Sequence, residues 1–322
     1  MNDWVHERDA EGEAPWLPSS TNPDPFVQKL GGSAAFCQTR LNSFKYLFFF
    51  MDANDLAELF TRHCKVYDLE HVRSPKMPGS KKDTGLQYYL FKRHEDFFNT
   101  IPGEGRTGSF GLIIMSDQSG THIDARCHQG RQKVLYGNTP VTAEIQTPWG
   151  FTRLGADEIP PLIGRCVLLD FATYARSPIE NHHEVSLDEF KDCANKEGVE
   201  IRGNDVVLLR TGYSKHFGDD SLYRLAPGAS KEVSAWLAEK KVLAVGADNS
   251  SWDVPISEDS KEKPWRHGHL ILLVKEGIYI MENLNLEQLS SDRRYESLFI
   301  GLPPKFKGAT GSPIRPIAIV PV

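Results

Sequence analysis

Cys166-Val-Leu-Leu-Asp170, Ser186-Leu-Asp-Glu189 and Asp205-Val-Val-Leu-Leu-Arg-Thr211 follow one another in the middle of the chain, and their reading decides the fold class. The first and third are short aliphatic runs, read as buried strands. The turns Ile163-Gly-Arg165 and Gly203-Asn204 lead into them. Between them, Ser186 with Glu189 three residues later is a capping-box pattern, predicting a helix to about Glu197. Gly198 supplies its stop. The alternation continues downstream. Ser230 to Lys240 predicts a helix with Val233, Trp236 and Leu237 on one face, and Val242-Leu-Ala-Val245 a strand ending at Gly246-Ala-Asp248. Upstream, Gly111-Leu-Ile-Ile-Met115 reads as another buried strand. Strands and helices in alternation indicate an α/β class, here a single mixed α/β domain.

That domain is expected over 51–322. Residues 1–50 lack a period of 2 or 3.6 before Leu41 and are expected to be a poorly ordered extension, with Met51 an alternative start. Met51 to Phe60 predicts a helix whose face carries Leu56, Leu59 and Phe60. Lys plus Arg is 37 and Asp plus Glu 43, a net charge of −6, which argues against a nucleic-acid surface. No apolar run approaches the roughly 20 residues that span a bilayer. Cys37, Cys64, Cys127, Cys166 and Cys193 are odd in number, widely spaced and form no CxxC pair, so they read as reduced thiols of a cytoplasmic protein.

The chemistry concentrates in two segments. In Ser116-Asp-Gln-Ser-Gly-Thr-His-Ile-Asp-Ala-Arg-Cys-His128, an extended chain would place Gln118, His122 and Asp124 on one face. Imidazole suits Zn, Fe, Ni or Cu, and the carboxylate widens the choice toward Mn and Mg. A polar strand with a surface histidine is the plainer alternative. In Trp265 to Leu284, His269 is expected early on a short helix that ends near Glu276 and stops at Gly277, and Ile278 to Met281 to form a strand with Glu282 at its end. Such a helix–Gly–strand hairpin can bring His269 and Glu282 together. A salt-bridged Glu282 with a solvated histidine reads equally well from this segment alone.

Taken together, Gly-Thr-His-x-Asp with His128 four residues on, and His269 followed by Gly277-Ile-Tyr-Ile-x-Glu-Asn-Leu284, resemble the cyclase family of metal-dependent hydrolases. That family includes bacterial kynurenine formamidase, isatin hydrolase and a trans-dienelactone hydrolase. The resemblance covers about Lys65 to Val322. It also takes in Val66-Tyr-Asp-Leu69 with Met77-Pro78, Ile163 to Asp170, Gly203 to Gly212 and Gly246 to Ser251, in the family's order.

The resemblance implies that His122 and Asp124 are metal ligands, that Asp124 bridges two ions, and that His269 and Glu282 complete the second site. It implies Zn or Mn, a metal-bound water as nucleophile and His128 as acid/base. The substrate would be a small, aromatic or conjugated amide, cyclic amide or lactone, and the assembly a homodimer without nucleic acid or membrane. Two departures stand out. Gln118 occupies a position where the family has a histidine ligand, and an amide oxygen is a weaker, harder donor. A single metal, a changed metal preference or lost activity would follow from it. Arg126 replaces a common proline and is read either as a fork for a substrate carboxylate or as a salt bridge of the fold. Ring closure or dehydration at the same centre, and a non-catalytic ligand-binding relative, are the alternatives in function.

Other residues carry less. Cys127 reads as a buried thiol, His267 as outside the ligand set and His182-His183 as exposed loop. Asn249 and Asp253 read as support for the site or as turn residues, and Phe91, Phe97, Phe98 and Tyr136 as pocket lining or core.

Overall fold

The computed structural model describes residues 53–78, 85–96, 105–176, 179–255 and 266–322. The extension expected over 1–50 lies outside these residues, as do Met51, Phe97, Phe98 and Trp265. Among the described residues the main strands are β1 (Cys64–Asp68), β2 (Gln87–Lys92), β3 (Phe110–Ile114), β4 (His122–Asp124), β5 (Leu162–Asp170), β6 (Val206–Arg210), β7 (Ala244–Ala247), β8 (Tyr279–Glu282), β9 (Glu296–Gly301), β10 (Gly311–Pro313) and β11 (Ile317–Pro321). Nine of them form one mixed sheet in the order β1-β11-β9-β5-β6-β7-β8-β4-β10.

Its centre, β5 to β8, is parallel. Parallel neighbours need crossovers, and these are α2 (Leu187–Glu197), α3 (Lys231–Lys240) and a π-helix at His269–Glu276. α2 opens with the expected capping box at Ser186 and Glu189, and Gly198 closes it in the left-handed region. α1 (Ala53–Arg62) precedes β1 and contains Leu56, Leu59 and Phe60 of the expected helix.

Central strands buried on both faces read as continuous apolar runs because alternate residues feed different cores. Val167, Leu169, Val207, Leu209 and Val245 pack with Phe190, Val233, Leu237 and Leu272 from the crossovers. Cys166, Leu168, Val206, Leu208 and Met281 point the other way, to Tyr67, Ile123, Phe299 and Ala318. Truncating one such leucine to alanine costs about 2–5 kcal/mol.

Two expectations fail. Ile163-Gly-Arg165 is not a turn but part of β5, held there by antiparallel pairing to Leu298–Ile300 of β9. Gly111–Met115 is not a buried strand. β3 pairs only with β2 as a two-stranded ribbon outside the main sheet. Tyr88, Tyr89, Phe91, Leu112 and Ile113 on that ribbon are exposed, Phe91 by 69% and Ile113 by 59%. Hydrophobicity alone could not tell an interior strand from one that none of the described residues covers.

Below the carboxyl end of β5, Asp170 caps Thr173, accepts from Arg210 at 2.7 Å and from Ser290 at 2.5 Å, and donates its amide to Glu197 at 2.8 Å. Burial pushes the Glu197 carboxyl up to about 7, against the Asp170 amide and with the Asp170 charge. The unfolded chain loses this proton near 4.5 and the folded chain near 7. Between those values the unfolded state binds fewer protons, so stability falls as pH rises. Glu197→Gln is therefore expected to match the parent at pH 5 and to melt a few degrees higher at pH 8. Thermal unfolding from pH 5 to 8 checks this, and parallel pH curves for the two proteins would refute it.

Candidate metal centre

β4 lies between β8 and β10, where His122 stands opposite Glu282 and Asp124 opposite Gly311. Side-chain alternation sends Ile123 into the core and His122 with Asp124 to the other face. Gly120 precedes them at φ 62°, a left-handed conformation that costs glycine little. The bend turns its carbonyl back on the site, where it accepts from His122 Nδ1 at 2.8 Å and Asn283 Nδ2 at 2.9 Å. His122 Nε2 is thereby left facing Glu282 and Asp124. Gln118 is not on this strand. It sits in the turn before it, so the shared face expected for Gln118, His122 and Asp124 holds only for the latter two.

His269 opens the π-helix and is fully buried. Its Nδ1 donates to Asp253 Oδ2 at 2.8 Å, and Asp253 also accepts from the Gly268 amide at 2.6 Å. A side chain at Gly268 would collide with Trp252, Asp253 and Ser234. The close approach fixes the ring, and His269 Nε2 faces the same centre as His122 Nε2.

An alternating ring results. His122 Nε2 lies 3.6 Å from Asp124 Oδ1 and 3.4 Å from Glu282 Oε2. His269 Nε2 lies 3.4 Å from Asp124 Oδ2 and 3.2 Å from Glu282 Oε1. Neighbouring ligand atoms about 2.1 Å from a common cation stand roughly 3–4 Å apart. Asp124 is 1% exposed and Glu282 4%. Both Asp124 oxygens and Glu282 Oε1 are buried without a hydrogen-bond partner. Buried carboxylates left so are costly unless a positive charge joins them.

The electrostatics agree. Burial would raise the Asp124 carboxyl, but the histidines around it, His128, His269 and His122, hold it below the usual carboxylate range. Burial would discharge His269, yet Asp124, Asp253 and Glu282 push its imidazole well up. Carboxylates that would keep a proton on a buried imidazole will equally keep a cation in its place. Two imidazole nitrogens and two carboxylates are donors of the kind a divalent ion takes, and among the described residues Asp124 and His269, with His128, bring ligand atoms within 4.8 Å of one another.

The other expected residues divide. His128 stands at the rim, its ring centroid 6.0 Å from that of His269, and it offers a nitrogen within 4.8 Å of ligand atoms of Asp124 and His269. Burial lowers its pKa. Gln118 Nε2 touches His128 Nδ1 at 2.6 Å. Arg126 is taken up by the fold: its guanidinium stacks 4.6 Å from both the Tyr136 and Tyr279 rings, and its Nε donates to the Gly277 carbonyl at 2.9 Å. Tyr136, weighed as pocket lining, is one side of that stack and also lines a groove with His267 and Lys275. Cys127 is buried, its thiol pushed up to about 12 by burial, which leaves no thiolate for chemistry at neutral pH. His267 lines a separate groove with Arg131, Lys231 and Lys275.

Sequence reasoning weighed Asp253 without choosing it and missed Arg266. The Arg266 guanidinium comes within 3.5 Å of His269 Nε2 from an exposed, left-handed residue at φ 56°. Its only signal was adjacency to the His267-Gly-His269 run.

Comparison with known proteins places the chain. The family profile described as "Putative cyclase" matches residues 67–254, and the chain belongs to that family. It is 29% identical over 214 residues to a kynurenine formamidase of Bacillus cereus, covering 66% of this chain and 81% of that protein. An isatin hydrolase of Roseibium aggregatum is 23% identical over 273 residues, 82% of this chain and 95% of its own. A crystal structure titled as a novel cyclase superposes with TM-score 0.70 at 23% identity, covering 81% of this chain and 90% of the other. An isatin hydrolase bound to the product analogue thioisatinate gives 0.64 at 21%, covering 84% and 100%. These superpositions share the fold.

If Asp253 orients His269 for metal binding, Asp253→Asn should weaken zinc affinity about 10–100-fold while the far-UV spectrum stays unchanged. Competition against a chromophoric chelator measures it, and unaltered affinity would contradict the role.

Proposed function

We propose that this chain is a metal-dependent hydrolase that opens an amide, cyclic amide or lactone bond in a small aromatic or conjugated substrate. One observation carries the reading. Asp124 and Glu282 are buried between the inward nitrogens of His122 and His269, with carboxylate oxygens that no protein hydrogen bond satisfies. Relatives named kynurenine formamidase and isatin hydrolase support the reaction class.

A divalent ion held there would supply an acidified water and a Lewis-acid contact for the carbonyl oxygen. The protein's own part is arrangement and proton handling. Gly120 and Asp253 each accept from an Nδ1–H, which keeps both Nε2 lone pairs directed inward. His128, unengaged by the four-residue ring and close to it, is placed to move a proton to or from the leaving nitrogen or oxygen. The complete ring, formed without Gln118, counts against a degenerate, non-catalytic relative.

Zn or Mn is the proposed ion, and a cytoplasmic homodimer the proposed state. Cys64, Cys127, Cys166 and Cys193 are free thiols, which suits a reducing compartment. Among the described residues no helix is long and apolar enough to cross a membrane. The β2–β3 ribbon exposes large apolar side chains along its length, and a second copy is the cover proposed for it.

Purified protein is expected to carry Zn or Mn and to hydrolyse N-formylkynurenine, isatin or a dienelactone. His122→Ala should lose both the metal and turnover; full activity in that variant would end the proposal. Sedimentation equilibrium should give twice the chain mass, and Ile113→Asp should shift it toward monomer. A monomeric parent protein would remove the dimer from the proposal without touching the centre.

A further inference from the structure

The three histidines at the centre are wired in two opposite senses. His122 donates its Nδ1–H to the Gly120 carbonyl, and His269 donates its Nδ1–H to Asp253. Donating from one nitrogen leaves a lone pair on the other, as metal-ligating histidines almost always do. His128 is connected the other way, and the direction can be derived from groups that have no choice.

Asp117 Oδ2 accepts from the Thr310 amide at 2.7 Å, the Thr310 hydroxyl at 2.9 Å and the Gly311 amide at 3.2 Å. An ionised carboxylate only accepts, so the Thr310 hydroxyl hydrogen is committed to Asp117. Toward Gln118 the Thr310 Oγ1 can then only accept, and so can the Thr310 carbonyl. The Gln118 atom 3.2 Å from that hydroxyl and 3.4 Å from that carbonyl must be the NH2 group. The same nitrogen reaches His128 Nδ1 at 2.6 Å and donates there. Nδ1 of His128 is therefore an acceptor, and the neutral ring carries its hydrogen on Nε2. Gln129 Nε2 stands 3.0 Å from that second nitrogen; two donors cannot share that contact, so a hydrogen on His128 Nε2 requires the Gln129 amide to turn its oxygen there.

This arrangement withdraws two donors at once. Asp124, His128 and His269 offer atoms within 4.8 Å of one another, close enough to hold an ion with His128 as a ligand. With Nδ1 accepting and Nε2 protonated, His128 has no free lone pair. At Gln118 the end held against His128 is an amide nitrogen, which is not a ligand. Turning the amide over would set its oxygen against the Thr310 carbonyl and hydroxyl oxygens.

We propose that Gln118 is a positioning residue for His128 and not a ligand, so that this centre takes one divalent ion where the family pattern implies two. The inference rests on the ring being a metal centre, and it assigns the departure at position 118 a use. The Asp117–Thr310–Gln118 chain trades a ligand for a fixed imidazole.

Metal counting separates the two levels of claim. The apo protein is loaded with excess Zn(II), or in parallel Mn(II), desalted, and its metal per chain measured by mass spectrometry. One ion per chain is expected. Two would overturn the inference and leave the hydrolase reading intact; none would overturn both. Gln118→Ala should keep its one ion, and loss of that ion would show Gln118 to be a ligand. Gln118→His should gain a second ion, and a count still at one would sever the link to position 118. In the zinc-loaded parent, 15N NMR should report His128 as the neutral ring protonated at Nε2, and Gln118→Ala should lose that signature. A parent His128 protonated at Nδ1 would refute the wiring.

Discussion

Two buried carboxylates, with both Asp124 oxygens and Glu282 Oε1 lacking a hydrogen-bond partner, are the constraint to which the surrounding structure answers. A carboxylate in an apolar interior is tolerated when something positive meets it. Each of the four parallel strands ends in a charged residue at or just past its carboxyl end: Asp170, Arg210, Asp248 and Glu282. Three are settled within the protein. Asp170 pairs with Arg210, and Arg210 also with Glu287. Asp248 accepts from Thr211 and from the Gly212 amide at 2.7–2.8 Å. Glu282 instead faces Asp124 across β4, with only imidazole nitrogens between them. In open α/β sheets the carboxyl edge is where ligands bind, and here it is also where one strand-end charge is left for something outside the chain to balance.

How far this was readable depends on how local each determinant is. The capping box at Ser186, the Gly198 stop and the aliphatic runs of β5 and β6 declare themselves because a few adjacent residues carry the whole physical cause. The four ring residues were legible because two of them sit two apart on a strand, and the other two flank a helix–Gly–strand turn. Gly277, left-handed at φ 67°, makes that turn. The ribbon of β2 and β3 was misread for the converse reason. Its residues have the composition of a core strand, and only the rest of the fold determines that nothing described covers them. Ile163-Gly-Arg165 misled in the same way, since glycine in a strand looks like a turn until its partner in β9 is known.

The residues that tune the site were the hardest to see. Asp253 lies 16 positions from His269, Thr310 lies 192 from Gln118, and Arg126 meets Gly277 across 151. No period or motif links such pairs; only the folded chain brings them together, the last two where β4 is clasped between β8 and β10. Arg126 illustrates the cost of reading chemistry from a residue type. A guanidinium suits a substrate carboxylate, but it suits two tyrosine faces and a helix-end carbonyl as well. The fold takes the second use.

Position 118 shows why a changed residue in a motif need not be a defect. If the histidine expected there is removed and nothing else moves, a centre loses a donor and the neighbouring His128 could rotate or bind the ion itself. Gln118 prevents both because its NH2 group serves the Thr310 hydroxyl, whose own hydrogen is committed to Asp117, and donates from the same nitrogen to His128 Nδ1. An amide can do this where an imidazole could not, since imidazole has no second hydrogen on the same nitrogen. The ring of His122, Asp124, His269 and Glu282 remains whole, and His128 keeps a defined protonated face beside it. On these grounds the substitution reads as a change in how the centre is equipped, with the proton-handling group held by the protein instead of by metal.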